Sequence, residues 1–119
     1  MEIFQPWSFR NDIGLGKAKT DLVGFQVVAV DGEIGKIDEA TYEVGSSYVV
    51  VDTGPWIFGT KVVLPAGTVD SVDLTEKKVW IGRTKEEIKA APEFDSELYQ
   101  APEYRSKLEG YYTPFYGGR

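Results

Sequence analysis

The chain has 119 residues, 42% of them hydrophobic and 27% charged, which suits one folded domain and excludes global disorder. Its 13 basic and 19 acidic residues give a net charge of −6, so we expect no direct binding to a phosphate backbone. Because it has no histidine and no cysteine, it has no Ser-His pair, thiol nucleophile, disulfide or ordinary zinc or copper site. These features predict a non-enzymatic cytoplasmic protein without metal or cofactor.

The first segment, residues 1–20, shows no sustained hydrophobic period and is expected to be an irregular N-terminal arm. It carries an acid at position 2 and no apolar run, which indicates no signal peptide. The longest apolar runs of the chain are too short to cross a membrane, so we expect no membrane insertion.

Residues 21–82 show the pattern of a β-protein. Six short strands are predicted, at residues 25–30, 33–43, 48–53, 60–65, 68–74 and 78–82. Asp31-Gly32 between the first two is a strong hairpin signal, because both central positions of such a turn favour positive φ. The strands at 48–53 and 78–82 are apolar on both faces, and a sheet closed into a barrel and covered by the arm or tail would bury both faces. The prediction is a small six-stranded antiparallel β-barrel.

The stretch GEIGK, residues 32–36, has the look of a phosphate-binding loop. Such a loop needs glycine at position 30, Ser or Thr at position 37, and a helix after it. The chain instead has Val30 and Ile37 and continues in an extended pattern, so this stretch is not predicted to bind phosphate. Since Ile34 and Ile37 are three residues apart, a regular strand cannot bury both, and a bulge at Gly35-Lys36 would correct the register. The candidate turn and bulge residues are Gly24, Asp31, Gly32 and Gly35.

A short helix is predicted after residue 82. Thr84 and Glu87 form a capping box, in which a hydroxyl and a carboxylate bond the free amides at a helix start. Pro92 ends the helix after about two turns.

A small repeat follows, in which residues 91–99 are echoed by residues 101–109. Each copy is expected to form a proline-led helical turn that either drapes over the barrel or recognises a partner. The tail, residues 110–119, is rich in aromatic residues and glycine and does not fold alone. It packs either on its own barrel or on another chain.

Two groups of acidic residues are candidates for chemical sites. Asp31, Glu33, Asp38 and Glu39 match no calcium-loop spacing and are expected to be solvated turn and edge residues. The acids between residues 86 and 97 are expected to form a polar helical face. No catalytic, metal-binding or cofactor-binding residue is assigned.

Aromatic residues make up 13% of the chain, and their positions suggest where an interface could lie. Trp56 and Phe58 lie in a loop bounded by glycine and proline, where they either cover an open end of the barrel or form an interface. The candidate interface residues are Trp56, Phe58, Tyr111, Tyr112, Phe115 and Tyr116.

The order of several marks resembles the PRC-barrel domain, a small β-barrel found in the photosynthetic reaction centre H subunit and in a ribosome maturation factor. The marks are Leu22-x-Gly24, the phrase DGEIGKI at residues 31–37, Leu64-Pro65, and TKEE at residues 84–87 followed by Ala91-Pro92. The resemblance covers residues 21–92. The predicted division is therefore an irregular arm at 1–20, a PRC-barrel-like domain at 21–92, and a repeat-like extension with the aromatic tail at 93–119.

This resemblance implies an interaction module with no catalytic residues. We expect neither the membrane helix of the H subunit nor the second domain of the ribosomal factor, because residues 1–20 are too short for one, and the chain is similar to stand-alone prokaryotic members. We therefore expect a non-enzymatic protein-interaction or assembly module that forms a homodimer or another homo-oligomer. The alternatives are a ribosome- or RNA-associated assembly factor acting through a ribosomal protein, and a small enzyme or small-ligand-binding barrel with a pocket near Trp56 and Phe58.

Overall fold

The computed structural model of the protein describes residues 4–10, 13–14, 21–42, 45–54 and 61–116. All six predicted strands are present: β1 (Gln26–Ala29), β2 (Gly32–Ala40), β3 (Tyr48–Asp52), β4 (Lys61–Pro65), β5 (Val69–Asp73) and β6 (Lys78–Ile81). Two α-helices follow, α1 (Lys85–Lys89) and α2 (Pro102–Tyr112), and 3-10 turns occupy Ala66–Thr68 and Thr113–Tyr116.

The strands form one mixed sheet in the order β4-β3-β2-β1-β6-β5. The prediction of a closed, all-antiparallel barrel is wrong on both points. Strands β1 and β6 run parallel, with Gln26 opposite Lys78, and no ladder joins β4 to β5 within the described ranges. The buried 3-10 turn Ala66–Thr68 separates β4 from β5 where a hairpin would have joined them. Turn signals in the sequence report only hairpin neighbours, so they could not reveal the parallel pair.

The β1–β2 hairpin forms as expected, although its turn lies one residue earlier than Asp31-Gly32. Ala29 pairs with Gly32, so the two connecting residues are Val30 and Asp31. Only Gly32 of the predicted turn pair has a positive φ, +146°. The Asp31 carboxylate accepts a hydrogen bond from the Lys85 amide at 2.8 Å, which fastens this turn to the start of α1.

A bulge interrupts β2 at the GEIGK stretch. The register against β1 gains one residue, Ile34, between Glu33 and Gly35. Ile34 and Ile37 are only 1% and 2% exposed, so both point inward as their spacing indicated. Gly35 has φ +147°, and a Cβ there would overlap the carbonyl oxygen of Asp52. Glycine is therefore required both by conformation and by the close approach of β3.

The hydrophobic core takes residues from the whole described chain. Trp7 and Ile13 from the arm, and Tyr104, Leu108 and Tyr112 from α2, belong to the same buried cluster as the strand residues. The arm and the C-terminal extension thus complete the core that the open sheet leaves uncovered. No helix in the described part of the chain is long and apolar enough to span a membrane.

The two helices begin as the sequence indicated. At α1, the Thr84 hydroxyl accepts from the Glu87 amide at 3.1 Å, and Glu87 Oε1 accepts from the Thr84 amide at 2.9 Å, so the capping box is confirmed. Pro102 opens α2, which is longer than the predicted single turn.

The two copies of the repeat fold differently. The second copy forms most of α2, whereas residues 96–99 of the first copy form turns. Tyr104 and Leu108 are four residues apart and both are buried, so the helical copy packs one face on the core. The matching residue Leu98 of the first copy is 56% exposed.

Candidate functional site

The predicted interface residues of the tail mostly pack within the molecule. Tyr112 is completely buried and offers no surface to a partner. The Tyr111 hydroxyl donates to the carbonyl oxygen of Glu87, and Tyr116 is half-buried and stacks on Phe4 at 4.0 Å. Phe115 is exposed at 36%. The tail residues up to 116 therefore pack in cis.

Arg83 contacts two aromatic rings of the tail and the carboxylate of Glu87. Its guanidinium lies 4.9 Å from the ring centroids of both Phe115 and Tyr116, and 3.8 Å from the carboxylate of Glu87. Burial raises the pKa of the Tyr116 hydroxyl. The remaining candidates, Trp56 and Phe58, lie outside the described residues.

A second group of side chains forms an open cleft that the sequence did not reveal. It lies where residues 94–99 cross the face of β2, β3 and β4, and it has a volume of about 520 Å³. We call it the Glu39 cleft. Its lining residues are Asp38, Glu39, Val50, Lys61, Phe94, Ser96 and Tyr99.

Glu39 is held in place by two tyrosines. The Tyr99 hydroxyl lies 3.0 and 3.1 Å from the two carboxylate oxygens, and the Tyr48 hydroxyl donates to Oε2 at 3.3 Å. Gln100 Nε2 donates to both hydroxyls, at 3.4 Å to Tyr48 and 3.3 Å to Tyr99. This network orients the carboxylate before any ligand arrives.

A second bulge explains why two adjacent acids line one cleft. Neighbouring side chains of a regular strand point to opposite faces. Here the register between β2 and β3 shifts so that Ile37 faces Val51 and Glu39 faces Val50, which leaves Asp38 as the extra residue. Asp38 and Glu39 can therefore share the cleft.

Lys61 is the basic residue of the lining. Its Nζ lies 2.7 Å from Oδ2 of Asp38, and the two side chains are 42% and 47% exposed. The hydrogen bond to Asp38 raises the pKa of Lys61, so the ammonium is charged at neutral pH. An exposed pair of this kind contributes little to folding but holds both charges at the rim.

A smaller cavity of about 410 Å³ lies beside the GEIGK stretch, lined by Gln26, Glu33, Ile34, Gly35, Lys36, Asp52, Thr53 and Gly54. Lys36 belongs to strand β2 and precedes no helix, so the local structure differs from a phosphate-binding loop. Among the described residues, no group of three or more acidic side chains could hold a metal ion.

Asp38 and Glu39 were expected to be solvated edge residues, and the acids of residues 93–97 were expected to lie on a helix. In the structure Glu39 lies at the centre of a hydrogen-bond network, and residues 96 and 97 lie in a turn. The available signal was the first copy of the repeat, which supplies Phe94 and Tyr99 as the aromatic wall.

Comparison with known proteins gives likenesses to solved structures only. No protein-family model and no curated protein sequence matches the chain. A solved structure of a 16S ribosomal RNA processing protein, RimM from Pseudomonas aeruginosa, matches 55% of this chain with 22% sequence identity and a TM-score of 0.46. The match spans 42% of that protein, so the chain corresponds to less than half of its length.

Proposed function

We propose that this chain is a non-enzymatic interaction module that binds a partner protein at the Glu39 cleft. The observation that carries the proposal is the carboxylate of Glu39, fixed by the hydroxyls of Tyr48 and Tyr99 at the wall of an open cleft. A site that is ordered before binding loses less conformational entropy when a partner docks.

The chemistry of the cleft favours binding over catalysis. Burial raises the pKa values of Tyr48 and Tyr99 above their ordinary value of 10, so both hydroxyls stay protonated at neutral pH. A general acid or base works best when its pKa lies near the working pH. These hydroxyls instead act as fixed hydrogen-bond donors.

The surroundings of the cleft have the composition of a protein interface. Phe94 and Tyr99 supply aromatic surface, and Leu98 on the same segment is 56% exposed. Aromatic side chains in partly closed pockets with a polar rim dominate the affinity of many protein interfaces.

Self-association, expected from the sequence, would use a different face. Two copies joined at the Glu39 cleft by a two-fold axis would bring Asp38 and Glu39 against their own symmetry mates. We propose that a homodimer forms instead around Phe115, whose exposed ring lies 5.4 Å from that of Tyr111. Light scattering should show a dimer that Phe115→Ser converts to a monomer. A strict monomer at high concentration would remove this part of the proposal.

The main proposal is tested by capture of a partner followed by measurement with purified proteins. The chain and two cleft variants, Phe94→Ser and Ser96→Trp, are used to capture partners from a lysate of the source cells. Leu74→Ser is the control, because Leu74 is an exposed apolar residue that follows β5 at the far edge of the sheet. Melting temperatures confirm that all variants fold.

The partner is then purified and its dissociation constant measured by calorimetry. Both cleft variants should weaken binding about tenfold or more, as expected for residues at the centre of an interface, while Leu74→Ser leaves it unchanged. Equal binding by the chain and both cleft variants would refute the proposal. Co-sedimentation with ribosomal particles, lost in the cleft variants, would identify the partner as ribosomal.

A further inference from the structure

We infer that the Glu39 cleft recognises an arginine side chain of its partner, with the guanidinium on the Glu39 carboxylate and the alkyl stem along the rings of Phe94 and Tyr99. This inference rests on the proposed function, because it names the group that an interaction module would bind. It follows from three independent features of the described residues.

The first feature is an arginine stacked on an aromatic ring beside a glutamate, which occurs twice within the described residues. Arg105 lies 4.5 Å from the ring of Trp7, and the indole of Trp7 donates to Glu109 at 2.9 Å. Arg83 packs on the rings of Phe115 and Tyr116, 3.8 Å from Glu87. In both places an arginine stacks on an aromatic ring beside a glutamate, which accepts from the indole of Trp7 in the first and pairs with Arg83 itself in the second.

The Glu39 cleft has the glutamate and the rings but lacks the arginine. The rings of Phe94 and Tyr99 lie 5.0 Å apart at 36°, and the Tyr99 hydroxyl bonds Glu39. Among the residues that the structure describes, no salt bridge links Glu39 to a basic side chain. An arginine from another protein would complete the third arrangement.

The second feature is the local charge. The cleft and the segment that borders it carry five carboxylates, at Asp38, Glu39, Glu93, Asp95 and Glu97, against the single ammonium of Lys61 in the lining. Asp38 pairs directly with Lys61, and the five carboxylates leave the cleft and its bordering segment with a net negative charge. Such a field raises the association rate of a basic partner.

The third feature is the unused bonding capacity of Glu39. A carboxylate offers about four acceptor sites, and the two tyrosine hydroxyls bring two hydrogens. The planar guanidinium can fill the remaining sites and stack on an aromatic face at the same time, whereas a lysine ammonium is a compact, strongly hydrated charge. We therefore expect arginine to bind better than lysine.

The test uses the full chain labelled with ¹⁵N and a short peptide of glycine and serine with one central arginine. Matched peptides carry citrulline, which keeps the shape without the charge, or lysine. Amide shifts should move at Glu39, Phe94 and Tyr99, and the arginine peptide should bind about tenfold more tightly than the citrulline peptide. The lysine peptide should fall between them.

Two charge-removing variants locate the effect. Glu39→Gln should weaken arginine-peptide binding about fivefold or more, because the amide keeps an acceptor for the tyrosines but loses the charge. Glu76→Gln, in the exposed β5–β6 turn, is the control and should bind as the unchanged chain does.

Equal binding of the arginine and citrulline peptides would overturn the inference, as would equal weakening by Glu39→Gln and Glu76→Gln. If the peptide fails while the captured partner still depends on Phe94, the interaction module stands and arginine recognition falls. If the partner is also insensitive to the cleft variants, both proposals fall.

Discussion

The indole N–H of Trp7 donates a hydrogen bond to Oε1 of Glu109 at 2.9 Å, across a separation of 102 residues in the sequence. Trp7 is 8% exposed, and Arg105 stacks on its ring from the same helix. The carbonyl oxygen of Trp7 also accepts from the Ser47 amide at 2.9 Å, just before β3. This contact joins the arm, the sheet and α2.

Replacing Trp7 should destabilise the folded protein. Trp7→Ala is expected to lower the free energy of unfolding by about 3–5 kcal/mol, because it removes a large buried ring. Glu109→Gln should cost only about 1 kcal/mol, since it keeps an acceptor for the indole. Urea unfolding measures both. A Trp7→Ala loss no greater than that of Glu109→Gln would show that the arm does not contribute to the core.

The tail should prove essential for stability. Tyr112 is completely buried among core residues. Tyr112→Ala should therefore lower the free energy of unfolding by about 3–5 kcal/mol, and removal of residues 111–119 should lower the melting temperature by more than about 10 °C. An unchanged melting temperature after this deletion would mean that the tail binds in trans instead.

The hydroxyl of Tyr112 should be dispensable. It has no hydrogen-bond partner among the described residues, although its side chain is fully buried. An unsatisfied buried hydroxyl is unfavourable, so Tyr112→Phe should raise the free energy of unfolding by about 1 kcal/mol. The contrast with Tyr112→Ala separates ring packing from the polar group. A loss of stability in Tyr112→Phe would reveal a partner for the hydroxyl.

The bulge at Gly35 should tolerate no side chain. A Cβ there meets the backbone of Asp52 and Thr53, and φ is +147°, so Gly35→Ala is expected to cost about 3 kcal/mol or more. Gly110→Ala is the control. Nothing lies within 4 Å of its added Cβ, and its helical position should make the variant about 0.5–1 kcal/mol more stable. Similar melting temperatures for the two variants would contradict the close approach of β2 and β3.

Alkaline pH should destabilise the fold. Burial raises the pKa of Tyr104 to about 12, and it also raises the pKa values of Tyr111 and Tyr112. The unfolded chain releases these protons near pH 10, before the folded protein does. The free energy of unfolding therefore keeps its full tyrosine contribution below about pH 10 and falls as the pH rises toward about 12.

This dependence can be followed by urea unfolding at several pH values and by the absorbance of ionised tyrosine. Tyr104→Phe is the control, and its stability should decline less steeply over the same range. Ionisation of all tyrosines near pH 10 without unfolding would contradict the burial of these hydroxyls.

The local features of the fold were predictable from sequence, and the long-range ones were not. The capping box of Thr84 and Glu87 and the inward direction of Ile34 and Ile37 depend on residues a few positions apart. The parallel pairing of β1 with β6 joins residues about fifty positions apart. Hydrophobic alternation shows which face of a strand is buried, but it does not show which distant strand pairs with it. An antiparallel barrel was therefore a reasonable but wrong extension of the hairpin pattern.

The Glu39 cleft was missed for a related reason. Asp38 and Glu39 are adjacent, and without the second bulge they would point to opposite faces. Tyr99, which bonds Glu39, lies 60 residues away in a repeat whose first copy was expected to be helical. Only the folded arrangement brings the carboxylate, the hydroxyls and the aromatic wall together.

The stacking of Phe4 on Tyr116 has a practical consequence for protein engineering. The two rings lie 4.0 Å apart, so the beginning and the end of the described chain are neighbours in space. A short flexible linker could join them, and new termini could be opened at the exposed turn between β5 and β6. Such a circular permutant would move affinity tags away from the stacked rings of Phe4 and Tyr116.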